Sequence, residues 1–418
     1  KVNVEIFHTL NADGYLYTKD FTLQNITEPI CDPSTVNGVV NGGFEESCDN
    51  GQSPIAWNSV NYGSIEAEHS YQNSGHTGSR SVLVKISGAP QGESGLSTAP
   101  LTVTPNSRHQ LTFWHKSSIY MYAYIEFAMQ DGSTEYSSLT SVPASGNVWS
   151  EYQDIFLVPE HAKTAVVHIA TSDAGDIQID DVGLALLPTL ENNELTRPLI
   201  SINFDDGWRG SYTQGLPILQ TMNVKATFFI NASVVDSSNY MGNEQIKELF
   251  TQGHEIGSHA YHHTNLVTMT PTEVVSEIIQ NKTALSEILG EDAAVNFSTP
   301  YSSFNSDIQN AIMDSHGSHR DTSGALNYKY SFNPRQIHSR VITDTTTLDE
   351  IEELIQSAKN NNAWLILTFH DIGETGELED EDYAVTKDVF QSYLQAIKDS
   401  NVTVVTNEEA LTEIRSQL

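Results

Sequence analysis

Two patterns of apolar and polar residues divide the chain. Between residues 31 and 187, short runs alternate apolar and polar positions, as in SRSVLVKIS, RHQLTFWHKSS and MYAYIEFAM. Turn sequences such as DG at 131–132 and SGN at 145–147 separate these runs, and no helical period is present. Alternation of period two with frequent turns is typical of antiparallel strands. The pattern therefore predicts a β-sandwich over residues 31–187.

Residues 1–30 contain one run that is similar to a run near the end of the first domain. DGYLYTKDFTL at 13–23 and AGDIQIDDVGL at 174–184 are both alternating runs with aspartate near the end. We expect residues 1–30 to be the terminal strand or strands of a preceding module, or an added strand of this one, since two copies do not establish a repeat. The chain lacks an initiator Met and a basic-then-apolar start, so we expect residue 1 to be an internal cut.

After the polar segment 188–198, read as a linker, strands alternate with amphipathic helices. The predicted strands are LISINF, KATFFINA, HEIGSHA, AVNFSTPY, WLILTFHDI and VTVVT, and the predicted helices lie at 270–290, 347–359 and 382–399. The first two helices begin with the capping boxes Thr270–Glu273 and Thr347–Glu350. Repeated strand–helix units predict a parallel sheet, and roughly seven of them predict a barrel over residues 199–418.

Charge narrows the class of partner. Acidic residues number 54 against 20 basic ones, which gives a formal charge of −34. This excess repels nucleic acid and anionic membranes and favours neutral or cationic partners, although it equally fits solubility in a salty medium. There is no run of 18 apolar residues, so we expect no membrane span.

The two cysteines, Cys31 and Cys48, both lie in the first domain. A pair in a chain otherwise free of thiols favours a disulfide in a secreted or cell-surface protein, and two unrelated thiols are the alternative.

Four polar clusters follow predicted strands. They are FDDG at 204–207, SHAYHH at 258–263, STPYS at 298–302 and FHD at 369–371. A parallel barrel gathers the carboxyl ends of its strands at one face, where its chemistry lies. We therefore expect the four clusters to converge.

The histidine spacing points to a metal ion. His259 and His263 are four residues apart, so on one helical turn their imidazoles would project from the same side and grip one ion. One carboxylate of Asp205 and Asp206 would complete an Asp-His-His set, which suits Zn²⁺. The other aspartate would accept a proton. A capping aspartate with surface histidines is the alternative that spacing alone leaves open.

These motifs, with GHEIG before the histidines and a late hydrophobic strand ending in histidine, resemble the polysaccharide deacetylase family in order and spacing across residues 199–406. This NodB-homology family, carbohydrate esterase family four, implies a distorted (β/α)7 barrel and metal-dependent removal of acetyl groups from sugars. The resemblance implies that Asp205 is the general base, that His370 is the general acid and that the backbone N–H of Tyr301 helps hold an oxyanion. The implied metal ligands are Asp206, His259 and His263.

Two features of that family are missing. Many members carry an arginine two residues before the proline of the third motif, where it orients the catalytic aspartate, but this chain has Ser298 there. The usual Asp-x-x-Asp-Trp motif is also absent. Arg320 is a candidate substitute, since one subgroup has a similar element after the next helix, and a surface arginine is the alternative. The departures keep open a second class of function, a polysaccharide-binding protein with an inactive barrel.

The first domain resembles jelly-roll carbohydrate-binding modules over residues 37–187. The motifs that carry this resemblance are NGGFEE, SPIAW, VWSEYQDIFLVP and IDDVGL. Such modules often hold a structural Ca²⁺ between their first and last strands, and the resemblance implies Glu45 and Asp181 as ligands. Tyr120, Tyr122 and Tyr124 alternate, so we expect them to share one strand face, either as a stacking platform for a glycan or packed in the core.

Together the motifs predict a multidomain chain, a jelly-roll β-sandwich followed by a deacetylase barrel. The predicted partner is an acetylated poly- or oligosaccharide, neutral rather than uronate, with N- and O-acetyl groups both open. We expect a monomer that binds no nucleic acid. An adhesion or scaffold protein, whose barrel site would hold no metal, is a third class.

Overall fold

The computed structural model describes residues 39–47, 53–290, 293–324, 326–374 and 383–418, apart from the side chains of 88–91 and 140–141. The predictions for residues 1–30 and for a Cys31–Cys48 disulfide lie outside the described residues. Within the described ranges, every helix is too short or too polar to traverse a bilayer.

The first domain consists of antiparallel strands. In the described part of the chain they are β1 Trp57–Gln72, β2 Ser81–Thr98, β3 Leu101–Thr102, β4 Arg108–Ser117, β5 Met121–Met129, β6 Thr134–Val142, β7 Ser150–Leu157, β8 Ala162–Thr171 and β9 Gly175–Leu187. They pair in the order β6-β5-β8-β2-β9-β4-β7, with β1 also on β2 and β3 on β8. The predicted alternation is confirmed in β5, where every second residue from Met121 is buried.

On the two sides of β2 lie two groups of strands, β6-β5-β8 and β9-β4-β7, which form the two halves of this domain. The strand β2 pairs with both of them. Its first part, Val82–Ile86, pairs with β9, and its later part, Ser94–Ser97, pairs with β8. One hydrophobic cluster draws residues from both halves, including Phe113 of β4 and Phe127 of β5. The two halves therefore pack face to face over one core.

The second domain alternates strands and helices. Its described strands are β10 Leu199–Phe204, β11 Thr227–Ile230, β12 Glu255–Ser258, β13 Asn296–Ser298, β14 Ser318–Asp321, β15 Leu326–Asn327, β16 Ile337–His338, β17 Arg340–Val341, β18 Trp364–Phe369, β19 Ile372–Gly373, β20 Val385–Thr386 and β21 Thr403–Val404. Its described α-helices are α1 Leu216–Met222, α2 Asn243–Thr251, α3 Pro271–Leu289, α4 Ser306–Met313, α5 Leu348–Asn360, α6 Lys387–Asp399 and α7 Asn407–Arg415.

Parallel pairings connect the strands of the second domain in a cycle. They run from β18 through β10, β11, β12, β13 and β14 to β16. Only Ser339 separates β16 from β17, which pairs in parallel with β18. Every residue of β10 and β18 is buried. The carboxyl ends of these strands consequently meet at one face.

The predicted capping boxes at Thr270 and Thr347 are confirmed, and they start α3 and α5. The predicted helix at 382–399 begins too early. Val385 belongs instead to β20, which pairs with β19, and the Thr386 side chain caps α6 by accepting from Val389 N–H. Apolar periodicity could not separate a buried strand residue from the first turn of the helix that follows.

Residues 188–198 contain no regular element, yet their second half is fixed to the second domain. Leu195 is buried in a cluster with Trp364, and Arg197 contacts both carboxylate oxygens of Glu413 at 2.9 and 2.7 Å.

The two domains contact each other directly. Arg108 Nε donates to the Tyr330 carbonyl at 2.8 Å, and Ser306 N–H donates to Ser150 Oγ at 3.0 Å. The contacts lie on β4, on β7 and at the start of α4, so the first domain is held beside the loops of the second.

Candidate active site

The aspartate pair lies where β10 leaves the core. Asp205 and Asp206 are 3% and 8% exposed. The backbone turns left-handed here, with φ of 71° at Asp206 and 78° at Gly207, a conformation that aspartate and glycine tolerate best. The turn sends the two adjacent carboxylates to different partners.

Asp206 lies against the two predicted histidine ligands. Its Oδ1 is 3.2 Å from His259 Nε2 and 3.1 Å from His263 Nε2, and the three ligand atoms lie within 4.8 Å of one another. His259 Nδ1 is 2.7 Å from the Ser298 carbonyl, which orients the ring so that Nε2 faces Asp206. The arrangement fits a divalent metal ion, because a buried carboxylate oxygen and two imidazole nitrogens converge on one point.

The electrostatics of Asp206 favour its charged form. Burial raises the pKa of this carboxyl, but the neighbouring imidazoles of His259 and His263 outweigh burial and hold its pKa well below the ordinary value. A carboxyl that stays deprotonated is the form that binds a metal ion.

The segment that carries the histidines is not the helical turn that the spacing predicted. Residues 259–263 form an irregular bend, and Ala260 and His263 have φ of 61° and 55°. The Glu277 carboxylate of α3 accepts from the backbone N–H groups of Tyr261 and His262, at 3.1 and 2.8 Å. These hydrogen bonds come from a distant helix and replace those of a local helical turn.

Asp205 is paired with Arg320. The Arg320 Nη2 lies 2.5 and 2.6 Å from the two carboxylate oxygens of Asp205 and also contacts Ser298 Oγ. Its Nη1 donates to Ser339 Oγ at 3.1 Å. Arg320 is 1% exposed, so the alternative of a surface arginine is wrong.

Tyr301 and His370 lie at the ends of β13 and β18. Tyr301 belongs to the 3₁₀ turn Pro300–Ser302 and has a left-handed φ of 57°. His370 Nδ1 is buried and has no hydrogen-bond partner within the described residues.

One cavity of about 960 Å³ unites these groups. It is lined by the aspartate pair, His259, His263, Tyr301 and His370. Arg320 lies behind Asp205 rather than in this lining.

The cavity also contains residues that the sequence patterns did not single out: Asn231, Tyr240, Arg340, Thr343 and Tyr383. Tyr240 stacks on Trp208 with ring centroids 4.6 Å apart. Asn231 directly follows β11. The sequence pattern placed it inside the predicted strand KATFFINA, and its polar side chain near the end of that strand was the signal that could have found it. Tyr240 and Tyr383 lie in loops with no comparable pattern.

Two further aromatic and histidine side chains, Trp364 and His262, are not among the candidate metal ligands. Trp364 is fully buried. His262 lines the cavity and contacts Glu277 at 2.6 Å.

Residues 192–318 match the family model for polysaccharide deacetylases, and residues 36–175 match that for a carbohydrate binding domain. The chain contains a polysaccharide deacetylase domain and a carbohydrate-binding domain. The resemblance and the two-domain architecture predicted from the sequence are thereby confirmed.

Similar proteins include a chitin deacetylase of Pestalotiopsis sp, 35% identical over 22% of this chain and 30% of that protein. A bifunctional xylanase/deacetylase of Pseudobutyrivibrio xylanivorans is 23% identical over 64% of this chain and 39% of that protein. The chain thus spans well under half the length of these curated relatives. Among solved structures, the Xyl-CE4 domain of a multidomain xylanase from the hindgut metagenome of Trinervitermes trinervoides is 20% identical, with a TM-score of 0.39, over 52% of this chain and 91% of that one.

The carbohydrate-binding domain has a cleft of its own, about 740 Å³ in volume. Tyr122 and Tyr124 line it and donate to the two carboxylate oxygens of Glu93 at 2.8 and 2.7 Å. Tyr124 stacks on His168 at 4.3 Å. The prediction that Tyr120 shares this face is wrong, because Tyr120 precedes β5 and lines a different cleft, next to the deacetylase domain.

Glu45 and Asp181 of the carbohydrate-binding domain both contact the loop of residues 76–80. Glu45 accepts from the N–H groups of Ser79 and Arg80 at 2.8 and 2.9 Å. Asp181 accepts from Thr77 Oγ1 at 2.6 Å and lies 2.8 Å from His76 Nδ1. The structure thus brings the two carboxylates to one loop, each with protein partners of its own.

Proposed function

We propose that this chain hydrolyses acetyl groups from a poly- or oligosaccharide with the help of a divalent transition metal, Zn²⁺ by preference. The observation that carries the proposal is the convergence of Asp206, His259 and His263 beside the Asp205–Arg320 pair. A buried carboxylate with two imidazoles fits a metal ion, and a second carboxylate fits a proton acceptor.

The protein groups divide the work of hydrolysis. Bound zinc would polarise the attacking water and the acetyl carbonyl. Asp205, held by Arg320, accepts a proton from that water. The Tyr301 N–H donates to the oxygen that becomes negative in the tetrahedral intermediate. His370 donates a proton to the departing amine or alcohol.

The inactive barrel is the weaker alternative. It was motivated by the missing arginine of the third motif and by the absent Asp-x-x-Asp-Trp motif. Arg320 contacts Asp205 in place of that arginine, and the Asp205, Asp206, His259, His263 and His370 set is intact. The relatives support an acetylated glycan as substrate without choosing one polymer. The proposal therefore includes both chitin-like N-acetylated and xylan-like O-acetylated glycans.

We extend the proposal to the rest of the architecture. The strand pairings support a distorted (β/α)7 barrel after a jelly roll. The meeting of Glu45 and Asp181 at one loop supports a structural Ca²⁺ site, and Tyr122 with Tyr124 supports a glycan-binding face. We assign the protein to the cell surface or the medium, as a monomer.

Two aspartate variants test the proposed roles. In Asp206→Ala, we expect zinc content and acetate release to fall together, because a ligand is lost. In Asp205→Asn, zinc should stay bound while kcat falls by about 10²–10⁴, the usual cost of losing a general base. Zinc is measured by elemental analysis and acetate release on a panel of acetylated chitin and xylan oligosaccharides.

The same measurements can overturn the proposal. Wild-type protein with less than about a tenth of an equivalent of metal after zinc addition, and no acetate release on the panel, rejects metal-dependent hydrolysis. If Asp205→Asn loses zinc while Asp206→Ala keeps it, the two roles are exchanged.

A further inference from the structure

A second cleft joins the two domains beside the catalytic cavity. It has a volume of about 290 Å³. Tyr120 and Pro143 of the carbohydrate-binding domain form one side of it, and Tyr301, Ser302 and Thr322 of the deacetylase domain form the other. Tyr301, Ser302 and Thr322 also line the catalytic cavity. The two spaces are therefore neighbours that share part of one wall.

The carbohydrate-binding domain holds its side of this cleft in place. Thr171 Oγ1 donates to the Tyr120 carbonyl at 2.8 Å, which anchors the backbone just before β5. The interdomain hydrogen bonds of Arg108 and Ser150 fix that domain against the deacetylase domain. Tyr120 is thus presented on a fixed surface.

The chemistry of the cleft suits a pyranose ring. Tyr120 is 47% exposed and Tyr301 is 62% exposed, so two aromatic rings offer apolar surface to the same space. An aromatic ring has an apolar face for the C–H face of a sugar, and a phenol adds a polar tip for its hydroxyls. Burial, followed by the charge of Asp321, raises the pKa of Tyr120, so its hydroxyl remains a donor.

Polar groups with fixed positions surround those rings. Ser302 Oγ accepts from Thr322 N–H at 2.7 Å and keeps its own hydrogen for another acceptor. Ser323, which also lines the cleft, is fixed by Asp321 at 2.8 Å. Hydroxyls of this kind can pair with those of a sugar.

We propose that Tyr120 completes a sugar-binding subsite adjacent to the catalytic cavity, so that the substrate chain runs from the acetyl-bearing unit past Tyr301 to the carbohydrate-binding domain. The inference rests on the proposed function and deepens it: the substrate is an oligomer of more than one sugar, recognised by both domains at once.

Substrates of different length distinguish binding at this subsite from the hydrolytic step, because only the longer substrates reach Tyr120. Full-length Tyr120→Ala should lose about five- to tenfold in kcat/KM on acetylated tetra- to hexasaccharides, which is about 1–1.4 kcal/mol at 1.4 kcal/mol per tenfold. Its kcat/KM on an acetylated monosaccharide should equal that of wild type. Tyr120→Phe, which keeps the ring, should retain most of the activity on long substrates.

Leu186→Ala serves as the matched control, since it removes another exposed apolar side chain of the same domain outside both clefts. It should leave kcat/KM unchanged at every length. Thermal unfolding of all variants reports whether the fold is intact. If Tyr120→Ala is unstable, Tyr120→Leu carries the test, because it removes the aromatic ring and keeps an apolar side chain: a loss in kcat/KM that appears only on the longer substrates supports the subsite, and no loss or a loss equal at all lengths contradicts it.

A loss in Tyr120→Ala that is the same for monosaccharide and hexasaccharide overturns the proposal, as does no loss at any length. If wild type releases no acetate from any substrate, the proposed function fails instead. Calorimetric titration with the hexasaccharide then decides the subsite, and equal affinities of wild type and Tyr120→Ala would reject it.

Discussion

Arg320 reaches Asp205 from the strand next to the one where family resemblance expects an arginine. In the β13–β14 ladder, Ser298 is paired with Arg320, so the two positions are direct neighbours across the sheet. The small Ser298 side chain leaves room for the guanidinium, and its Oγ contacts Nη2. The charge beside the aspartate is the same, although it comes from another position in the sequence.

Ser298 and Arg320 could both be identified from the sequence. Whether Arg320 replaces the missing arginine or lies on the surface could not be decided from it. That choice depends on the register of two parallel strands separated by a whole helix. That register is set by how the strands and helices of the whole second domain pack, and no local pattern near Arg320 in the sequence reports it. By contrast, the aspartates and histidines stood out because local order and spacing carry their pattern.

Arg320→Ser should leave the Asp205 carboxylate buried without its cation. Breaking a buried ion pair typically costs about 3–5 kcal/mol, so we expect the unfolding free energy of the deacetylase domain to fall by that amount. Adding Ser298→Arg to this variant should recover about half of the loss or more, because the cation returns from the paired position. Urea unfolding followed by tryptophan fluorescence measures both, and acetate release should follow the same order.

Ser298→Arg alone is the control, since it places two cations beside one carboxylate and should be destabilising. A double variant no more stable than Arg320→Ser would contradict the exchange of positions.

At the level of elements, α3 supports the bend of residues 259–263, which carries the two candidate metal-binding histidines. The helix is capped by Thr270, as its sequence predicted, and Gly290, which follows its last residue, is left-handed. Glu277 lies on the buried face of α3 and contacts the backbone between the two histidines. Asn231 adds a second support by donating to the Ala260 carbonyl at 3.0 Å.

The existence and limits of α3 could be predicted from periodicity and caps, but this function of Glu277 could not. A glutamate among apolar positions gives no sign of which loop it meets. The four-residue spacing of the histidines is compatible with a helical turn and with an irregular bend. Only the tertiary hydrogen bonds decide that the segment forms a bend.

Glu277→Ala should weaken zinc binding without removing any ligand. Residues that orient metal ligands typically contribute 10- to 100-fold in affinity, so we expect the zinc dissociation constant to rise by about that factor. Activity should return with excess zinc, which a merely unfolded protein would not show. Competition titration with a chromogenic chelator provides the measurement.

Glu287→Ala on the same helix is the matched comparison, because Glu287 is exposed. It should bind zinc like wild type. Unchanged affinity in Glu277→Ala would mean that the bend holds its shape without the helix.

On the scale of the whole molecule, the change of pattern near residue 188 was enough to predict two domains. Their mutual position was not predictable, because contacts such as Arg108 to Tyr330 join residues with no pattern in common. The second cleft exists only as a result of that docking. Tyr120 precedes β5, so the alternation that predicted one strand face for Tyr120, Tyr122 and Tyr124 does not include it, and it lines this second cleft instead.

The net charge of −34 should discriminate against anionic glycans. We expect kcat/KM on an acetylated uronate polymer to rise with ionic strength, because salt shortens the range of repulsion from about 10 Å at 0.1 M to about 3 Å at 1 M. The value for neutral acetylated xylan should change little. Initial rates of acetate release across a salt series test this, and faster turnover of the anionic polymer at low salt would contradict it.

The strand β2, shared by the two halves of the first domain, also bears on how that domain folds. Val82 pairs with Ile179 and Leu96 with Ile169, so both halves close only when β8 and β9 have returned from far along the chain. Because β2 is part of both halves, neither half has all its strands paired until the other has formed. The domain should therefore gain its structure late and in a single step, with the slow kinetics of folds whose contacts are distant in sequence. Separation of β2 from β8 or from β9 should therefore open the core that both halves share.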